Sequence, residues 1–361
     1  MRDLCQMTFA AKSTTSIHFA PGFAPRPEVT HVLFDFDGTL SLIREGWPDV
    51  MVPMFVEMLP RSAGETEADL RRMVFEDIMR LNGKQTIYQM IQLADRIRER
   101  GGQPREALWY KHEYLRRLDE RIAKRKSALR SGEIARENFL VHEAWSLLTQ
   151  LRDRGLTLYL ASGTDEQYVK EEASLLGLDQ FFGRHIYGAL DNYQNFSKKM
   201  VIDRILAENA IDGRRLLAFG DGYVEIENTK QVGGLAVAVA SDEAHNGSGR
   251  MDEWKRERLL GVGADVVIPD FRDAAALLRC LFDDSSTSTF ATGSFAGMTL
   301  NERLFHAGLL DDFDQARQAN DRDRLLAILC RVELTAESAQ TTIDQLNLPL
   351  LPQGERCFGG K

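Results

Sequence analysis

Apolar and polar positions alternate in two rhythms along this chain. Short apolar runs, among them Val32-Leu-Phe34, Leu156-Thr-Leu-Tyr-Leu-Ala161, Leu216-Leu-Ala-Phe219, Leu235-Ala-Val-Ala-Val-Ala240 and Val266-Val-Ile268, predict buried strands. Between them lie segments of helical period. The clearest begins near Asn138, gathers Leu140, Val141, Ala144, Trp145, Leu147, Leu148 and Leu151 on one side, and is stopped by Gly155. Further helices are expected near 166–176, 199–207, 224–232 and after Ile268. Strands that alternate with helices in this way form right-handed βαβ units. The expected fold class is therefore α/β, a Rossmann-like doubly wound parallel sheet with helices on both faces.

One stretch breaks the alternation. Between the first strand and Asn138 the period is helical throughout, near 48–59, 65–81, 84–100 and 104–130, with breaks at Ser62-Ala-Gly64, Asn82-Gly83 and Gly101-Gly102. This predicts an all-helical cap inserted into the core. The division expected is a loose N-terminal extension at 1–29, an α/β core at 30–43 and 136–283, and a cap at 44–135. A Ser/Thr/Gly-rich linker at 284–297 then leads to a small helical appendage at 298–361 with a loose tail. The appendage has no catalytic constellation and reads as a packing element, for a second copy of the chain or a protein partner.

Composition narrows the class. The chain has 361 residues, a formal net charge of -9 and four scattered cysteines, Cys5, Cys280, Cys330 and Cys357. The acidic balance disfavours nucleic acid as partner. Cysteines without pairing or metal-ligand spacing fit a reducing compartment, so the expectation is a cytoplasmic protein. No apolar run approaches membrane-spanning length. Residues 95–130 hold twelve Lys/Arg against six Asp/Glu, but acids interleave at helical spacing, which is the pattern of a salt-bridged exposed face.

The candidate chemistry sits where strands end. The first strand runs into Asp35-Phe-Asp37-Gly-Thr39, two carboxylates at the edge where an open parallel sheet builds its sites. One carboxylate can attack phosphorus while the other handles the proton. The strand ending at Ala161 leads to Ser162-Gly163-Thr164, a hydroxyl with unhindered backbone N–H groups suited to phosphate oxygens. Leu216–Phe219 leads to Gly220-Asp-Gly-Tyr-Val-Glu225, whose two acids, Asp221 and Glu225, can complete an oxygen shell for Mg²⁺. Between them Phe196-Ser-Lys-Lys-Met200 places a lysine at a helix start. Each piece alone has an ordinary reading as a turn, cap or solvated helix end. Their fixed order along successive strand ends favours the joint functional reading.

These four elements resemble the haloacid dehalogenase-like hydrolases, whose members carry Asp-x-Asp-Gly-Thr, a Ser/Thr, a Lys and a Gly-Asp pair of acids in that order. The resemblance covers about Val32 to Phe282. It implies Asp35 as the nucleophile that forms an aspartyl-phosphate and Asp37 as acid and then base, with its backbone carbonyl on the metal. It further implies Ser162 and Gly163 as phosphate binders, Lys198 as the charge-steadying lysine, and Asp221 as a Mg²⁺ ligand. Glu225 stands where many relatives have Asp, so it joins the metal directly or through water. Lys198 and Lys199 compete for one role. Val201, Ile202, Ile205 and Leu206 fix the buried side of the following helix and leave Lys198 at its tip.

The resemblance implies a Mg²⁺-dependent phosphatase of a small phosphorylated metabolite. A sugar-phosphate mutase carries the same motifs, and a non-catalytic phospholigand-binding protein is the alternative from another class. Phosphonate hydrolysis in relatives needs a buried cap lysine, and nothing in the sequence marks Lys84 or Lys111 as buried. A cap closing over a small substrate excludes water and sets specificity. The residues expected to touch substrate are Arg44, Glu45 and Trp47 in the hinge, and Lys84 and Gln85 in the polar turn between cap helices.

Overall fold

This computed structural model describes residues 16–282, 299–306, 309–332, 334 and 336–345. The chain divides into two compact units, 1–284 and 285–361. The first opens with β1 (His18–Phe19) and β2 (His31–Phe34), then α1 (Pro48–Met58), α2 (Glu67–Arg80), α3 (Thr86–Glu99), α4 (Ala107–Ser131) and α5 (Ala144–Asp153). It continues with β3 (Thr157–Asp165), α6 (Glu166–Leu175), α7 (Asp179–Phe182), β4 (Ile186–Ala189) and α8 (Lys198–Glu208). Next come β5 (Leu216–Gly220), α9 (Tyr223–Gln231), β6 (Leu235–Val239), α10 (Glu253–Gly261), β7 (Val266–Ile268) and α11 (Ala274–Phe282).

The strands form one sheet in the order β1-β7-β6-β5-β2-β3-β4, all parallel except β1, which runs antiparallel to β7. The apolar runs explain this, because a strand buried on both faces needs no polar alternation. Phe34 pairs with Leu160 on one side and Phe219 on the other, so β2 and β5 end together on one edge while β3 runs on to Asp165 beside them. Strand order turns around at β2, and a crevice at that edge is where open α/β sheets hold ligands. Phe34 and Phe219 stack at 4.9 Å on one face. Leu33, Tyr159, Leu216 and Ala218 face Ile202 and Ile205 of α8 on the other. Burial of each large apolar side chain contributes about 1.5–3 kcal/mol.

The four helices between β2 and α5 bury Met54, Phe55, Leu70, Ile78, Met90, Leu93, Leu118 and Ile122 together. Thr66 and Asp69 close a reciprocal capping box at the start of α2. α4 ends at Gly132, whose φ of 72° suits only glycine without strain. The chain crosses back beside its outgoing strand, where Leu42 N donates to Phe139 O at 2.9 Å and Val141 N to Leu40 O at 3.0 Å. These two bonds hold Leu140 and Val141 extended, so the helix expected from Asn138 starts only at Ala144.

Three other expectations change. Residues 16–29 are not loose: β1 covers the outer edge of β7, and Ser16 donates N–H and O–H bonds to Asp273 at 3.1 and 2.9 Å. An unpaired edge strand exposes backbone groups, and β1 satisfies them. Ser162-Gly163-Thr164 belongs to β3 rather than to a turn, with a register shift against β4 between Ala161 and Asp165. β4, α7 and α10 are short or mixed in polarity and left no periodic signal. The expected linker at 284–297 and the tail at 348–361 lie outside the described residues, as do residues 1–15.

The second unit holds α12 (Leu300–His306), α13 (Leu310–Gln318), α14 (Arg322–Arg331) and α15 (Ala336–Gln345). They share a small core of Leu304, Phe313, Leu325, Leu329, Val332 and Ile343. Among the described residues no helix is long and apolar enough to cross a membrane.

Candidate active site

The loop after β2 is built by its own backbone. Asp35 N continues the ladder to Phe219 O at 2.9 Å, and then Leu40 N and Ser41 N both donate to Phe36 O at 2.9 Å. This tight turn throws the Asp35 and Asp37 side chains to the sheet edge. Gly38 at φ 74° makes the turn possible, because a Cβ there would sit 2.3 Å from Asp221 Oδ2.

Asp35 is buried, 6 % exposed. Its Oδ1 accepts from Phe36 N at 2.8 Å, and its Oδ2 pairs with Lys198 Nζ at 2.8 Å. Lys198 opens α8, behind the Ser197 N-cap whose hydroxyl accepts from Met200 N. Its ammonium also reaches Glu225 Oε2 at 2.7 Å, while Glu225 Oε1 accepts from Gly222 N at 2.7 Å. Burial pushes the Asp35 carboxyl well above the usual carboxylate range despite the Lys198 charge, and burial raises Glu225 likewise. Burial pulls Lys198 down, but the Asp35 and Glu225 charges outweigh it and hold its ammonium above its ordinary value.

Asp37 is held differently. Thr164 Oγ1 and Ser162 Oγ donate to its Oδ2 at 2.8 and 3.2 Å. Its Oδ1 is buried without a hydrogen-bond partner, 3.8 Å from Arg44 Nε. Arg44 is itself locked in a two-pronged bond to the fully buried Glu172 of α6, with Nη2 to Oε1 at 2.8 Å and Nε to Oε2 at 3.0 Å. Burial raises the Glu172 carboxyl, and the Arg44 charge opposes that rise.

Asp221 hangs from the N-terminal side of α9, its N–H donating to Thr39 Oγ1 at 2.9 Å. Its Oδ2 lies 3.0 Å from Lys255 Nζ. Asp35, Asp221 and Glu225 each bring a carboxylate oxygen within 4.8 Å of the others. Such a set of hard oxygen donors, with two raised carboxyl groups awaiting positive charge, fits a small divalent cation.

A cavity of about 80 Å³ lies over these groups, and Asp35, Asp37, Ser162, Gly163, Lys198 and Asp221 all line it. By water-sized counting it holds roughly half a dozen waters, room for a phosphoryl group and a few further atoms. From the cap side Arg44, Trp47 and Lys84 face the same space. Glu45 does not: it pairs with Arg125 of α4 at 2.9 Å and borders a recess behind Asp37. Gln85 also turns away, its Nε2 donating to Phe196 O at 2.7 Å and Tyr193 O at 3.1 Å. Lys199 is exposed and pairs with Asp203 at 2.7 Å. Lys111 is buried after all, 2 % exposed and 2.7 Å from Asp165, yet it does not line the cavity.

Residues not foreseen as site residues also gather here. Thr164 belongs to the expected Ser162-Gly163-Thr164 stretch but was not singled out from it, and Tyr114 and Gln89 line the cavity from helices α4 and α3. Lys255 and Glu243 come from segments with no motif.

Comparison with known proteins places the chain in a family. A haloacid dehalogenase-like hydrolase model matches residues 29–233. Among solved structures the chain is similar to a haloacid dehalogenase-like protein of unknown function from Agrobacterium tumefaciens str. C58, at 18% identity and TM-score 0.46, over 69% of this chain and 97% of that one. It is similar to a predicted phosphoglycolate phosphatase from Haemophilus somnus at 14% identity and TM-score 0.44, over 70% and 98%. It is also similar to a β-phosphoglucomutase from Clostridium difficile at 11% identity and TM-score 0.48, over 71% and 98%. No curated protein matches it. Since the family model spans more than half of the 361 residues, the chain belongs to the haloacid dehalogenase-like hydrolases.

Proposed function

We propose that this chain is a Mg²⁺-dependent phosphatase that hydrolyses a small phosphorylated metabolite through an aspartyl-phosphate. The observation that carries this reading is one cavity with two carboxylates held by different partners. Asp35 is bonded to a lysine and a backbone N–H, and Asp37 keeps a buried oxygen with no partner. One is suited to bond phosphorus, the other to move a proton.

A phosphoryl group in the cavity meets Lys198, the Ser162 hydroxyl and the Gly163 N–H. An Asp35 oxygen attacks phosphorus, and the bond from phosphorus to the leaving oxygen breaks. Asp37 gives its proton to that oxygen, so the product leaves as a neutral alcohol. Asp37, now a carboxylate, takes a proton from water as the water oxygen attacks the same phosphorus. The phosphorus bond to Asp35 breaks, phosphate departs, and both carboxyl groups return to their starting states. Thr164 and Ser162 keep Asp37 aimed during both steps. Mg²⁺, held by Asp35, Asp221, Glu225 and the Asp37 carbonyl, would neutralise charge on the phosphoryl oxygens.

The test is release of inorganic phosphate from p-nitrophenyl phosphate with Mg²⁺ or with chelator. Wild type should turn over only with Mg²⁺, and Asp35→Asn should lose at least about 10³-fold in kcat/KM. Equal release by the two proteins would overturn the assignment. A panel of phosphorylated metabolites then identifies the leaving group.

A further inference from the structure

Beyond the four family elements, the acidic cluster carries a second buried lysine. Lys255 on α10 is 6 % exposed. Its Nζ lies 3.0 Å from Asp221 Oδ2, 2.6 Å from Glu243 Oε1 and 3.2 Å from Ser241 Oγ. Ser241 in turn donates to Gly38 O at 2.7 Å, in the loop that carries Asp35 and Asp37. Glu243 lies in the segment after β6, its side chain 22% exposed. Four carboxylates, those of Asp35, Asp221, Glu225 and Glu243, thus surround two ammonium groups, Lys198 and Lys255. The balance leaves two negative charges, which is the charge of one divalent cation.

We propose that Lys255 and Glu243 form a built-in charge pair that sets how tightly the Asp35-Asp221-Glu225 cluster holds its cation. This rests on the reading of that cluster as a Mg²⁺ site. Lys255 is a positioning residue: it ties down Asp221 Oδ2 while Oδ1 accepts from Thr39 Oγ1 at 3.4 Å, and it subtracts positive charge from what the site will accept. Glu243 offsets Lys255 and keeps it shared. The pair therefore weakens Mg²⁺ binding through one member and strengthens it through the other.

Opposite signs from the two halves are the mark of this device. Mg²⁺ binding to the full chain, measured by isothermal titration calorimetry after chelator treatment, should tighten about tenfold in Lys255→Met and loosen about tenfold in Glu243→Gln. Tenfold is the shift that a unit charge about 6 Å from a divalent cation gives at the dielectric of water, and weaker screening inside the protein enlarges it. The double variant should return to within about threefold of wild type. A pair that merely braces the fold would loosen binding in both single variants, and that result, or no change in either, overturns the proposal. Thermal melts in chelator check folding. If Lys255→Met does not fold, Glu243→Gln against Lys255→Arg decides, because Arg keeps the charge and should leave affinity within about threefold. If wild type itself binds no Mg²⁺, the cation reading fails rather than the pair alone.

Discussion

Two adjacent lysines show how one residue step decides a role. Lys198 is 4 % exposed between Asp35 and Glu225, whereas Lys199 is exposed and pairs with Asp203. On a helix, neighbours in sequence differ by about 100° in direction, so just one of them can face the sheet edge. Lys198→Ala is expected to lower kcat by about 10²–10³, the range for removing one donor that meets developing charge. Lys199→Ala should stay within about twofold. Steady-state kinetics with a melt on each variant checks this, and a larger loss for Lys199→Ala would overturn the assignment. The spacing of Val201, Ile202 and Ile205 made the inward position of Lys198 legible in the sequence. The position of Glu225 was less so. Its two oxygens are taken by Lys198 and by Gly222 N, so its longer side chain supports the lysine as well as the cluster. Side-chain direction at a buried site depends on partners far along the chain, and periodicity carries no record of them. Thr164 illustrates this, since its partner Asp37 is 127 residues away.

At the scale of elements, the loop between α2 and α3 is seated directly on the core. A Cβ on Gly163 would lie 2.7 Å from Lys84 O, and one on Gly83 would lie 3.1 Å from Gly222 Cα. Arg258 of α10 donates to Met79 O and to Arg80 O, satisfying carbonyls at the end of α2, while Gln85 bonds the backbone before α8. The cap therefore rests on backbone-to-backbone contact at glycines, and a methyl group there opposes closure without touching the hydrophobic core. Gly163→Ala keeps its N–H and is expected to cut kcat/KM at least about tenfold while shifting Tm by less than about 2 °C. Unchanged kinetics would show that this seat is not the working position of the cap. The long periodic helices of the cap and the apolar strands were legible because burial on one face, or on two, writes itself into the sequence. β4, α7 and α10 were not. They are short, and in α10 just Lys255 and Leu259 are buried, so no stripe forms.

Across the whole molecule, acid acts with opposite signs on the buried acids around the cavity and on the arginine-paired acids of the cap. In the core, burial raises the carboxyl groups of Asp35, Glu172 and Glu225. A raised acid favours folding below its unfolded value and ceases to do so as pH rises through the folded one. Protonation therefore relieves the core. In the cap, hydrogen bonds lower the carboxyl groups of Glu57 and Glu65, through Arg117 and Arg100, and of Asp69, through Thr66 first. Hydrogen bonds from Arg116 and Arg117 bring Glu113 down to about 2. These groups stabilise above the ordinary range near 4.5, and that contribution is lost as pH falls toward 2. Exposed pairs are individually weak. Several nonetheless act together, because Arg100 ties the end of α3 to Glu65 before α2 and Arg117 ties α4 to Glu57 of α1, so their loss loosens neighbouring helices at once. Pepsin at pH 3, within the window where the cap pairs discharge, should therefore make its first cuts within residues 16–282 in α2, α3 or α4. First cuts in β2, β3 or β5 would mean that the buried acids of the core, not the arginine pairs of the cap, govern the acid response.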